Sequence, residues 1–351
     1  MNMFNIDILN KLNDNEIKID LDNSTVLCNS KCALNFYCNI ENNIIEIKQL
    51  KKCNNIISYN IYGSSINASL NIIALSDIIL TINDINLKTE LDNNESDNNS
   101  ININNDNFTT KLYINGDNII NSNYNYAISC SGTLELYGNG NLNIQNKLFG
   151  INSSKLIINE NCKLNINLFD INDEAYGNAI DSNDIIINSG NINITTNNLF
   201  GIECDNLYVN NNCDIKILSN ENNCISAKNN IILNNGNITL YSINICAIDC
   251  VHLCCNNCNL LYTTNNLSFL PMTQTSQCAL LGMNINSGQN IKFINNENND
   301  IIAEYNVPYK YIGNNRIIFI NPLIESSTNY IQQIGLNTKY SLTSYDLKMQ
   351  N

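Results

Sequence analysis

The chain has 351 residues, 44% of them hydrophobic and 14% charged, and 18 Lys and Arg stand against 32 Asp and Glu for a net charge of −14. That balance excludes a sequence-independent grip on phosphate backbones, which needs clustered Lys and Arg, so nucleic acid is not an expected partner. The 80 Asn and 58 Ile together exceed a third of the chain, far from average usage, and Lys is too scarce for codon bias alone to explain them.

No apolar run approaches the ~18 residues of a membrane span. The start, Met1-Asn2-Met3-Phe4-Asn5-Ile6-Asp7, has neither the basic n-region nor the apolar h-region of a secretory leader. The expected location is therefore inside the cell, or on the cell or spore surface after release. Residues 1–55 hold Cys28, Cys32, Cys38 and Cys53 and read as a cap or an assembly segment. In an oxidising setting those four thiols are candidates for crosslinks between chains.

From residue 56 apolar residues alternate with polar ones, the period-two mark of half-buried strands. The early pairs are Ile78/Leu80, Ile85/Leu87, Ile101/Ile103 and Leu112/Ile114, followed by Ile119. From residue 127 a small residue followed by Ile recurs at Ala127-Ile128, Gly150-Ile151, Ala179-Ile180, Gly201-Ile202, Cys224-Ile225 and Ala247-Ile248, in steps of 23, 29, 22, 23 and 23 residues. Two more alternating pairs follow within each step, such as Leu134/Leu136 then Leu142/Ile144, and Ile231/Leu233 then Ile238/Leu240. Three short strands per turn of 22–23 residues, with no room for a crossover helix, predict an all-β, right-handed parallel β-helix, a triangular β-solenoid over residues 56–336. Asn suits its corners, because it tolerates left-handed backbone. Closing strands are expected from about residue 300, and 337–351 read as a C-terminal tail.

Two residues before the third strand of each coil stand Gly140, Cys162, Gly190, Cys213, Gly236 and Cys258. A tight corner where Cys serves as a small hydrophobe explains them. Two insertions, around residues 90–97 and 170–174, both follow a third strand and should project from one corner as an acidic edge. Carboxylates and Asn carbonyls are the oxygen ligands calcium takes. Asp92, Glu95, Asp97, Asp170, Asp173 and Glu174 are thus a candidate calcium site, weighed against plain solvated acidic loops; no other cofactor is expected.

The chain resembles the bacterial β-helix proteins described as carbohydrate-binding-domain-containing. The resemblance rests on the strand pair Ile72–Leu87, on Gly132-Thr133-Leu134-Glu135-Leu136-Tyr137-Gly138-Asn139-Gly140, and on the closing Ile317-Ile318-Phe319-Ile320-Asn321-Pro322-Leu323 with Thr328-Asn329-Tyr330. It covers about residues 56–336 and implies carbohydrate as a ligand, without a defined sugar site.

Catalysis is not expected. Polysaccharide hydrolysis needs two placed carboxylates, and Asp181 and Asp249, the two outward candidates, should lie three coils or about 14 Å apart, beyond the ~6.5–9.5 Å of an inverting pair. Cys246, Cys250, His252, Cys254, Cys255 and Cys258 include a Cys-x-x-Cys suggestive of zinc. The strand period turns Cys255 inward and Cys254 outward, so buried structural thiols are the first reading, crosslinking by outward thiols such as Cys254 the second, and zinc the third. Rings that could stack on sugars are Tyr137, Tyr208 and Tyr241, with Tyr59, Tyr62 and the Tyr305, Tyr309 and Tyr311 group as further candidates. Three functions remain: a non-catalytic structural or surface protein that assembles with copies of itself, then a carbohydrate-binding module, then a polysaccharide-active enzyme. The assembly reading rests on open strand edges at the solenoid ends, with the apolar Ile317-Ile318-Phe319-Ile320 as the last.

Overall fold

A computed structural model describes residues 5–8, 15–23, 25–28, 36–41, 44–52, 55–66, 68–89, 99–123, 125–169, 177–265, 272–275 and 277–346. Their regular structure is entirely β, in 31 strands. They fall into two compact units: the first holds residues up to 169 with Gly177–Ile185 and Ser189–Asn191, the second Ile186–Asn188 and everything from Ile192.

The first unit is a parallel β-solenoid with three faces. On the first face Ile44–Gln49, Ser69–Ile73 and Ile101–Asn104 stack, followed by the opening residues of Ile128–Tyr137 and of Ile151–Ile158. The second face begins at Glu16–Asp20 and runs through Ile57, Ile78, Thr110 and Leu134 to Leu156. On the third face Asp117–Ser122, Asn141–Asn146 and Lys163–Leu168 stack on the ends of the two earlier strands. The expected inward residues lie over one another: Ile128 on Ile151, Leu134 on Leu156, Leu142 on Leu164, Ile144 on Ile166. All are fully buried, and each such side chain stabilises the stack by about 1.5–3 kcal/mol.

One inward position differs from the expected pattern. Ile120, not Ile119, pairs with Ile144, and Asn118 takes the place above Leu142. Asn118 is fully buried, yet its amide donates to the carbonyls of Asn115 at 2.8 Å and Asn141 at 3.2 Å and accepts from the Ile85 N–H at 3.2 Å. A buried amide with its bonds made is tolerated where an unpaired one would not be.

The N-terminal segment is more than a cap. Glu16–Asp20 and Ile44–Gln49 already pair in parallel with the next coil, so the solenoid begins some 40 residues before 56. Two antiparallel strands then add to it, Thr25–Cys28 on Glu16–Asp20 and Phe36–Glu41 on Ile44–Gln49, and Asn5–Ile8 pairs in parallel with Thr25–Cys28.

The second unit continues the same plan in its own coils. Ile202, Ile225 and Ile248 stack on the first face, and Leu207, Ile231 and Leu253 on the second. The third-face strands Cys213–Ser219, Asn237–Ser242 and Asn259–Thr264 place Ile215 on Ile238 on Leu260. Here the ladder ends differently from the expectation. Arg316–Ile320 adds antiparallel to Asn259–Thr264 and is itself covered on its other side by Cys278–Leu281. Ile317 to Ile320 are at most 1% exposed, so this strand is a buried closing strand and not an open edge. Closing strands start at Cys278, and a four-stranded antiparallel sheet follows in the order Ile301–Asn306, Asn290–Asn295, Asn329–Ile334, Thr338–Thr343. Residues 338–346 are therefore paired strands, not a tail.

The corners use other residues than predicted. Among the described residues thirteen have positive φ, seven of them Gly, and only Asn257 and Asn299 are Asn. At Gly138 a Cβ would stand 2.3 Å from the Ile114 carbonyl oxygen, so the close approach of adjacent coils requires glycine there. Cys162 and Cys213 fill the small corner position, with thiols on backbone carbonyls at 3.2 Å and 3.0 Å. Asn instead forms ladders along the stack. In the second unit Asn210 donates to Asn188 at 3.0 Å, Asn234 to Asn210 at 3.2 Å and Asn256 to Asn234 at 3.1 Å. An amide donates and accepts at once, so one residue type repeated every coil satisfies itself; Asp, Glu or Lys stacked that way would repel.

Candidate functional site

On the third face of the second unit the strand pattern changes. A half-buried strand alternates, but Asn237–Ser242 and Asn259–Thr264 are buried on both sides for five residues running. Register places Leu218 on Tyr241 and Thr239 on Leu261 along the outward side. Leu218, Tyr241 and Leu261 pack with Phe293, Tyr311, Phe319 and Tyr330 in one apolar cluster. Its rings are specifically placed: Tyr241 and Tyr311 have centroids 5.5 Å apart, and Phe293 stacks on Phe319 at 4.3 Å.

Beside that cluster lies a cleft of about 490 Å³, within the ~300–1,000 Å³ of small-molecule sites. Its floor is the outer side of the coil strands, with Asn193, Thr195, Lys216, Thr239 and Tyr241. Its wall is Ile301–Asn306 and the loop after it, with Glu304, Tyr305, Asn306 and Lys310. Tyr241 is 4% exposed, and its hydroxyl is sealed from solvent with no hydrogen-bond partner among the described residues. Burial, then the neighbouring Tyr305 and Tyr311, raise its pKa, so it stays a neutral phenol able to donate. Burial likewise raises Tyr305.

The charges of the cleft are mostly committed. Asn290, donating at 2.8 Å, and Lys292, at 3.4 Å, hold the Glu304 carboxyl below its ordinary range. Lys216 pairs with Asp214 at 2.8 Å. Lys310 is exposed and has no acidic partner among the described residues. This arrangement offers hydrogen-bond donors, a ring wall and one uncommitted cation, which suits recognition of a polar ligand.

The residues singled out from the sequence are dispersed. Tyr241 faces out of its coil as expected but lies beneath the C-terminal strands instead of in solvent. Tyr208 is on the second face of the same unit, in register with Ile232, so the two do not share a platform. Tyr137, in the first unit, stacks on Tyr113 with centroids 5.2 Å apart and donates to Glu135 at 2.8 Å. That bond pushes its pKa up to about 12.

The calcium candidates Asp92, Glu95, Asp97, Asp170, Asp173 and Glu174 lie outside the described residues, as do Cys32 and Cys53. Among the described residues no group of three or more His, Cys, Asp or Glu is placed to hold a metal. Cys246, Cys255 and Cys258 are buried free thiols, Cys250 and Cys254 are half-buried free thiols, and His252 is exposed. Burial pushes Cys250 up to about 12, and a hydrogen bond with Cys258 together with burial raises Cys255. Cys250 and Cys255, kept protonated in this way, are poor nucleophiles and poor crosslinkers. Cys28 is 7% exposed and raised by burial, and Cys38 is pushed up to about 11 by burial and then by Cys28; Cys28 is turned into the protein, contrary to a crosslinking role. Asp181 accepts from the Tyr126 hydroxyl at 3.1 Å and from Asn152 at 3.4 Å, a surface network of the first face.

Sequence reasoning missed the cleft, although a signal was present. Ile217-Leu218, Leu240-Tyr241 and Leu260-Leu261-Tyr262 break the alternation with adjacent apolar residues, and a strand buried on both sides reads that way. No family model matches the chain, and no curated protein or solved structure matches it. Among the described residues no helix is long and apolar enough to cross a membrane.

Proposed function

We propose that the protein is a non-catalytic β-solenoid scaffold that binds carbohydrate in the cleft of its second unit. The observation that carries this reading is the cleft itself, about 490 Å³, a size that suits a small ligand. Tyr305 adds a ring to the wall, and Thr239, Asn193 and Asn306 add short polar groups, the mixture that fits a sugar's alternating apolar and hydroxyl surfaces. The test is a glycan array followed by titration calorimetry of the wild type beside Thr195→Tyr, which puts a bulky side chain on the half-buried cleft floor; affinity should fall about tenfold, by ~1.4 kcal/mol, and undiminished binding would sink the reading.

Self-association is the second reading. It is favoured by apolar side chains left exposed in the first coils, Tyr37 at 48%, Leu50 at 56%, Ile56 at 52% and Ile66 at 74%. Sedimentation velocity of Ile56→Lys with Ile66→Lys tests it without removing residues 16–49, which the first coil needs. A wild type that sediments as a monomer, like the variant, would end that reading.

A further inference from the structure

We infer that one corner of the second unit is a site of covalent self-modification, where the Gly236 backbone nitrogen attacks the Asn235 side-chain amide and turns that residue into aspartate or isoaspartate.

The chemistry is intramolecular and needs only water. Gly236 N gives its proton to hydroxide and bonds to Asn235 Cγ, the Cγ–Nδ2 bond breaks, and Nδ2 leaves as ammonia with a proton from water. The five-membered imide that remains takes up one water molecule. Addition at Cγ gives aspartate, and addition at the main-chain carbonyl carbon gives isoaspartate, whose backbone is one carbon longer. Glycine favours the closure because it has no Cβ to hinder its nitrogen.

The chain has three Asn-Gly steps, Asn115-Gly116, Asn139-Gly140 and Asn235-Gly236, and their surroundings differ. At Asn139 the Gly140 N–H is committed to the Ile114 carbonyl of the neighbouring coil at 3.0 Å. At Asn115 the Asp84 carboxylate lies so close to Gly116 that an added Cβ would collide with it, and it accepts from the next N–H, that of Asp117, at 2.8 Å. A negative charge there opposes loss of a proton from Gly116. At Asn235 the Gly236 N–H meets no backbone carbonyl among the described residues and instead lies 2.8 Å from Asn235 Oδ1. That contact folds the side chain back over its own main chain, with Cγ one bond beyond the oxygen, the near-attack arrangement that ring closure requires. Asn235 is half-buried at a bend outside the strands, so water and hydroxide reach it.

The coil has little slack for the product. The Gly236 carbonyl accepts from the Asn259 N–H at 2.9 Å, and a Cβ on Gly236 would stand 2.9 Å from the Cys213 carbonyl oxygen. An extra main-chain carbon here displaces Asn234, whose amide bridges Asn210 at 3.2 Å and Asn256 at 3.1 Å.

The experiment holds the intact protein at 37 °C and pH 8 in water enriched in oxygen-18, and follows each Asn-Gly step over time by peptide mass spectrometry. Conversion at position 235 should run at least tenfold faster than at 115 or 139 and should speed up with pH. In the guanidinium-unfolded chain the three steps should convert at similar rates, which separates the effect of the fold from that of the dipeptide. Asn235→Gln, which keeps an amide but enlarges the ring to be closed, should silence the position and leave the melt unchanged. Equal rates at the three steps of the folded protein, or a lead by Asn115 or Asn139, would overturn the assignment. So would a folded protein that keeps its amide at 235 while the unfolded chain loses it, because the contact with Gly236 would then protect the side chain instead of preparing it.

Discussion

The third-face strands of the two units share an inward side and differ outward. In the first unit Leu142 and Ile144 point in while Asn143 and Gln145 meet solvent in part, and Asn165 bonds Asn143 at 2.9 Å. In the second unit Ile238 and Leu240 point in just as deeply, but Thr239 is 6% and Tyr241 4% exposed. The same coil geometry therefore serves two surfaces. Inward residues set the fold, because each coil must match the one below it, whereas outward residues are free to close a face with Asn ladders or to seat another layer and a ligand beside it.

The largest effects should come from the inward side and be alike in both units. Ile180→Asn in the first unit and Ile202→Asp in the second each put a polar group into a fully buried position, at a cost of several kcal/mol, and each should abolish the cooperative melt followed by circular dichroism. A melt unchanged by either would refute the assigned register. Next is Phe319→Ala, which removes a ring stacked on Phe293 and should cost about 3–5 kcal/mol. It should also raise dye binding as Leu218, Tyr241 and Leu261 lose their cover, while Gln145→Ala on the open face should shift stability by under ~0.5 kcal/mol. Equal effects of the two would erase the distinction between the faces.

Smaller again is Asn234→Ala, which breaks both bonds of a mid-ladder amide and should cost about 1–2 kcal/mol, against roughly half for Asn256→Ala nearer the end. Chemical denaturation of both measures it. The smallest effect concerns Tyr137, whose bond to Glu135 pushes its pKa up to about 12. A folded pKa above the unfolded ~10 gives stability that is whole below pH 10 and lost as pH rises toward 12. Glu135→Gln should lower that tyrosine's absorbance titration toward 10.

The coil was legible because its inward residues obey one rule many times over. Ile128, Ile151, Ile202, Ile225 and Ile248 recur at coil spacing and do stack, and small residues such as Gly140 and Cys162 occupy the tight corner. The caps were not legible, because alternation looks the same in a parallel strand such as Glu16–Asp20 as in the antiparallel Thr25–Cys28. Asn was placed at corners on its backbone tolerance, whereas its amide bonding along the stack proved the stronger use. The cleft escaped because it joins Tyr241 to Lys310 across 69 positions of sequence. Nothing in residues 290–343 announces which face they will cover, and only the doubled apolar pairs beside Tyr241 hinted that a face was covered at all.

Hydrogen exchange with mass-spectrometric readout, with and without a saturating oligosaccharide found on the array, tests the central claim most directly. Added protection should concentrate in Asn237–Ser242 and Ile301–Asn306, the floor and wall of the cleft, and leave Asn141–Asn146 of the open third face unchanged. Protection that instead gathers on Asn141–Asn146, or on the Tyr113 and Tyr137 pair, with the cleft strands unaltered, would contradict the account.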